Sequence, residues 1–165
     1  MIYDCLDTIY AFTKAHEKPS DDELTIQWLG IRLFNTCASS LKLMLAAYYQ
    51  SSVMLLRDLL ETGFLIDYFG IDRTKIRAWR QSTEKQRTET FSPFKVREGL
   101  DKHNNLTGKQ RAKVYKVMCN YGTHPTPEGF LLVSLKGSGE IGPFFDHKFL
   151  KAVLEELVKH LTFTA

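Results

Sequence analysis

Apolar residues recur at helical spacing along most of the chain, and they are densest over residues 50–68. The run from Ser51 to Tyr68 is apolar at most positions, holds no proline, and carries only Arg57, Asp58, Glu61 and Asp67 as charges. At 100° per residue, Arg57, Glu61 and Tyr68 fall within one narrow arc, with Asp58 at its edge. A helix that is apolar nearly all round is one surrounded by other helices. The Arg57/Glu61 pair, one turn apart, therefore reads as a polar spot inside a bundle.

The flanking pattern supplies the partners. Ile2, Leu6, Ile9, Tyr10 and Thr13 predict a first helix over residues 2–16, ended by Lys18-Pro19-Ser20. Ser20 with Glu23 three residues on predicts a capping box for a second helix. That helix runs through Leu24, Trp28, Ile31 and Leu41 to Tyr48, with Gly30 and Ser39-Ser40 as places for a bend or a break. A break near Tyr49–Ser51, with Ser51 as N-cap, makes it and the central helix an antiparallel pair, and Gly70 is the predicted stop. Asp72 caps a helix over residues 73–90, with Ile76, Trp79 and Thr83 on its buried face. Ser92-Pro93 opens a short helix to Lys102, Asn104-Asn105 turn the chain, and Thr107 caps a helix ending at Gly122. In that helix Val114, Val117, Met118 and Tyr121 are expected to face the core. Phe130–Leu135 and Ile141–Phe144 predict a short hairpin or ordered loop. Asp146 caps a last helix with Phe149, Val153, Leu157 and Leu161 on one face. The expected fold is all-α: one domain over residues 1–165, a bundle of about five longer helices with a short hairpin or irregular insertion.

Composition adds a setting. At 165 residues, 44% hydrophobic and 25% charged, the chain suits a single buried core and not a disordered segment. Cys5, Cys37 and Cys119 are odd in number and far apart, which predicts a reducing, cytoplasmic setting. Asp4 stands where a secretory leader would be basic. The apolar stretch from Leu41 to Phe69 is broken by Lys42, Gln50, Arg57, Asp58 and Glu61, so no membrane span is expected.

Charge is uneven. Residues 73–116 carry 13 Lys and Arg against 4 Asp and Glu, a net of +9, and the remainder carries −6. Such a layout draws a polyanion to one face, or complements the acidic remainder or a partner subunit in a homodimer. Arg73, Arg77, Arg80 and Arg87 form one stripe on the predicted 73–90 helix, a candidate nucleic-acid surface for weak RNA binding. Glu84 lies in the same stripe, spaced to pair with Arg80 and Arg87.

The motif search yields mostly exclusions. There is no P-loop, no His-Glu-x-x-His, no Glu-x-x-His and no Gly-x-Ser-x-Gly. No metal site or cofactor is expected. Cys119 beside Val117 and Met118 reads as core, as do Trp79 and Tyr121. Arg57 and Glu61 either position a ligand or fix register as an ion pair. His124 sits in the stiff turn Thr123-His124-Pro125-Thr126-Pro127. It is either an acid–base group or a C-terminal histidine bonding the last carbonyls.

Leu55-Leu56-Arg57-Asp58-Leu59-Leu60-Glu61, followed by Tyr115 and by Tyr121-Gly122-Thr123-His124-Pro125-Thr126-Pro127, resembles a family of uncharacterised, mostly prokaryotic all-helical proteins. Their hallmarks are an R-x-x-x-E helix and a His-Pro turn, and they look like distant cousins of the HEPN domains. The resemblance implies a site of His124, Arg57, Glu61 and Tyr115. Active HEPN proteins are metal-independent ribonucleases with an R-x(4–6)-H motif. Arg97 to His103 fits that spacing, with Gly99 and Asp101 inside it. Two function classes follow: a ligand-binding or protein-interaction module of a stress or defence system, or a HEPN-like metal-independent ribonuclease or toxin.

Overall fold

The computed structural model describes residues 1–15 and 20–164, with side chains to residue 162. It is all-α: α1 (Ile2–Lys14), α2 (Asp21–Leu45), α3 (Tyr49–Ile71), α4 (Thr74–Gln81), α5 (Glu84–Phe91), α6 (Pro93–His103), α7 (Gln110–Met118) and α8 (His147–Thr164). The expected end of the first helix at His16, with its Lys18-Pro19 stop, lies outside the described residues.

The apolar run becomes the centre of the bundle. Leu56, Leu60 and Phe64 of α3 are 0%, 2% and 8% exposed, and α2, α6, α7 and α8 all pack against that helix. The Ser20–Glu23 capping box forms as expected. α2 runs unbroken through Gly30. A Cβ there would meet Thr13 Cγ2 at 3.1 Å, so the glycine lets α1 approach α2. Ser40 does not break the helix either. It is buried, its hydroxyl 2.8 Å from that of Ser52, and it pairs α2 with α3.

Three helix boundaries differ from the expectation, each for a local reason. The α2–α3 break falls at Ala46–Tyr48, not at Tyr49–Ser51, and Tyr48, not Ser51, is the N-cap. Ala47 takes the left-handed conformation (φ 63°), and the amides of Ala47 and Tyr48 reach back to Met44 and Leu43 in a Schellman turn. Gly70 lies inside α3, which ends at Ile71. Asp72 is extended, and its carboxylate accepts from the Thr74 amide (3.0 Å) to start α4. Lys109 (φ 51°), not Thr107, precedes α7.

The predicted 73–90 helix is two helices. Ser82 and Thr83 are extended, and Thr83 and Gln86 form a second capping box that opens α5. Thr83 is therefore an exposed cap and not a core residue. Val117 is 46% exposed, so it too leaves the expected core.

The helix bearing Tyr115 changes winding before it ends. Cys119–Thr123 is a π-helix, closed by the His124 amide donating to the Cys119 carbonyl (2.9 Å). A Cβ on Gly122 would lie 2.8 Å from the Met54 backbone nitrogen and 2.9 Å from the Val53 carbonyl carbon. The bare glycine lets this segment press directly on α3, where Gln50 Nε2 donates to the Gly122 carbonyl (3.0 Å). The expected insertion is a 3₁₀ helix (Gly129–Val133) and a two-residue hairpin, β1 (Ser134–Leu135) with β2 (Ser138–Gly139). Ile141–Phe144 is not a strand, and Ile141 is fully exposed. Asp146 caps α8 by accepting from the amides of Lys148 (2.8 Å) and Phe149 (3.0 Å).

Candidate functional site

The polar spot of α3 is built around Glu61. Arg57 Nε and Nη2 approach Glu61 Oε1 at 3.0 and 2.8 Å, the geometry that i, i+4 spacing permits. Tyr115 of α7 donates its hydroxyl to the same oxygen (2.6 Å) and accepts from Arg57 Nε (3.1 Å). Burial and the Glu61 carboxylate push the Tyr115 phenol up to about 12, so it stays a donor across the neutral range. Every described hydrogen bond to the Glu61 side chain lands on Oε1, which leaves Oε2 as an acceptor.

A fourth side chain joins from α6. The Arg97 guanidinium lies over the Tyr115 ring, 3.8 Å from its centroid, and Arg97 is only 8% exposed. Its Nε and Nη1 are buried without a hydrogen-bond partner. Asp101, one turn further along α6, pairs instead with Arg111 (2.6 Å).

Beside this network, on the α2 and α4 side of α3, lies a pocket of about 240 Å³. Trp79, Phe91, Leu29 and Leu65 supply apolar wall, while Arg32, Asp58, Glu61 and Thr62 supply its polar groups. Arg32 pairs with Asp58, whose other oxygen accepts from Thr36 (2.9 Å). Trp79 and Phe91 are held edge-on by Phe69, at 5.9 and 6.4 Å between ring centroids. Thr62 is 5% exposed, and its hydroxyl makes no hydrogen bond among the described residues. A shallower groove alongside shares Arg32 and Asp58 and is rimmed by Trp28 and Ile31.

Three of the four expected site residues, Arg57, Glu61 and Tyr115, thus converge. His124 stands apart: it is exposed just beyond the π-helix, and its side chain makes no described hydrogen bond or ion pair. His103 is exposed at the end of α6. Six positions along a helix put it about 120° from the buried Arg97. The four-arginine stripe on one helix is overturned by the Ser82–Thr83 break, which moves Arg87 to α5. Arg80 pairs with Asp21 and Asp22 of α2, not with Glu84. Arg73 and Arg77 are exposed.

Burial pushes the Cys37 thiol up to about 11, which suits a packing residue. Among the described residues no group of three or more His, Cys, Asp or Glu side chains could hold a metal ion. No described helix is long and apolar enough to cross a membrane.

Arg32, Asp58, Thr62 and Phe91 were not legible as site residues, Trp79 reads from sequence only as core, and Arg97 was legible only through its spacing from His103. The one available signal was Thr62, a hydroxyl on an otherwise apolar helix turn. The chain matches no family model, no curated protein and no solved structure.

Proposed function

We propose that the protein is a ligand-binding helical module whose site is the pocket flanked by Asp58, Glu61 and Thr62. One observation carries this reading: apolar walls meet Glu61 and Thr62, whose Oε2 and hydroxyl the fold does not use. Concave sites with mostly apolar walls and a few oriented polar groups are the usual form of a small-molecule site. A nitrogen-15 NMR fragment screen tests it. Hits should move the amides of Thr62, Leu65 and Trp79 together, and a screen whose hits all map elsewhere removes the proposal.

The family resemblance motivates a stress or defence system as the setting, and three free cysteines motivate the cytoplasm. A second copy of the chain is the proposed protein partner, supported by the exposed apolar side chains Phe130, Leu131, Ile141 and Phe145. Sedimentation that stays monomeric at high concentration removes that partner.

Arg97 favours a second reading, the HEPN-like metal-independent ribonuclease or toxin. Two guanidiniums, Arg57 and Arg97, surround one phenol, and Arg97 has buried N–H groups to give a phosphate. His124 or His103 would have to supply the acid–base step from outside this network. Cleavage of single-stranded RNA in chelator, lost in His124→Ala or His103→Ala, would establish it.

A further inference from the structure

We infer that the pocket beside Glu61 takes a free planar nitrogen heterocycle of nucleobase size that presents an N–H donor. The inference rests on the ligand-binding reading above and names its ligand class. Size comes first. A volume of about 240 Å³ lies below the ~300–1,000 Å³ of sites for drug-sized molecules, so it suits one ring system. Trp79 and Phe91 offer aromatic surface to such a ring, and Phe69 fixes both.

Electrostatics narrows the class. The lining carboxylates are already compensated, Asp58 by Arg32 and Glu61 by Arg57. The pocket therefore has no net charge to attract an ion, and a ligand carboxylate would face two others. A pure hydrocarbon would leave Glu61 Oε2 and the Thr62 hydroxyl without partners away from water, which is unfavourable. A neutral N–H satisfies both.

Glu61 is also held in place for this task. Three donors converge on Oε1, so the carboxylate cannot swing away, and Oε2 keeps a fixed direction. The Thr62 side chain, one residue further on and almost fully buried in the same wall, supplies a hydroxyl that can accept or donate. A free molecule fits better than a base on a nucleic-acid strand. Arg32 is the one cation lining the pocket and it is pinned to Asp58, so no described basic track leads a phosphodiester backbone past the opening.

The chain has two tryptophans, Trp28 and Trp79. A Trp28→Phe protein therefore makes Trp79 the only indole reporter of the pocket. We expect 9-methyladenine to change its emission saturably, and 9-methylpurine, which lacks the amino group, to bind about tenfold or more weakly. Thr62→Val should weaken 9-methyladenine by a similar factor while leaving 9-methylpurine unchanged. Equal affinity for the two purines overturns the inference. So does displacement of 9-methyladenine by an equal concentration of single-stranded oligoadenylate. Toluene binding without either purine overturns the ligand class and leaves the pocket reading standing. No response to toluene or to either purine removes both.

Discussion

Two arginines approach the same phenol ring, and only one of them is satisfied. On the α3 side of Tyr115, Arg57 has Glu61 one turn away and bonds both the carboxylate and the hydroxyl. On the α6 side, Arg97 has Asp101 one turn away, but Arg111 holds it, and Arg97 keeps only the ring face. The satisfied arginine is the more exposed, its side chain 28% accessible, and the buried one is unpaired. Burial of a guanidinium without a carboxylate opposes folding. The α3 side is thus a structural clamp that orients Glu61. The α6 side holds unused hydrogen-bonding capacity.

The largest effect should come from breaking the frame that holds both sides. Leu60→Ala, in the apolar face of α3, should cost roughly 2–5 kcal/mol by urea denaturation. A loss below about 1 kcal/mol would make α3 peripheral.

Opposite signs should separate the two arginines. Arg57→Leu should cost about 1 kcal/mol, a modest figure because the pair is partly solvated. Arg97→Leu should raise stability by about 1 kcal/mol, since removing an unpaired buried charge outweighs the lost ring stacking. Equal losses in both would show that the stacking alone justifies Arg97.

A smaller effect concerns pH and a group remote from Tyr115. His160 of α8 is 3% exposed, and burial lowers its pKa against the upward pull of Glu156. Its folded pKa lies below the unfolded value of 6.5, so its contribution is complete above that value. The contribution is lost as pH falls from there to the lower folded pKa. Chemical denaturation at stepped pH should show this decline, and His160→Gln should flatten it.

The smallest effect is on RNA. With Arg87 on another helix and Arg80 paired to Asp21 and Asp22, binding to single-stranded RNA at physiological salt should be micromolar at best. It should also fall with salt. A salt titration on labelled RNA checks this, and tight binding that Arg97→Leu removes would make the α6 side of Tyr115 a nucleic-acid interface.

What could be read from the chain divides by range. Ser20/Glu23, Pro93, Asn104-Asn105 and Asp146 act within a few residues, and each performs as its side chain dictates. The Arg57/Glu61 pair was legible because i, i+4 spacing is local too. The Thr83-x-x-Gln86 box was equally local, but the arginine periodicity across it suggested one continuous helix. Arg97 was legible only through its spacing from His103; its burial was not, because what buries it is a ring on α7. Nor was the π-helix, within which the bare Gly122 presses on the α3 backbone.

That pressure also bears on how this protein can vary. In a saturation library selected for folding, position 122 should return glycine alone, because even alanine would strike backbone atoms that cannot rotate aside. Gly139, with nothing within 4 Å of its would-be side chain, should accept most residues. The two glycines look alike in the sequence, yet the packing fixes one and leaves the other open to substitution.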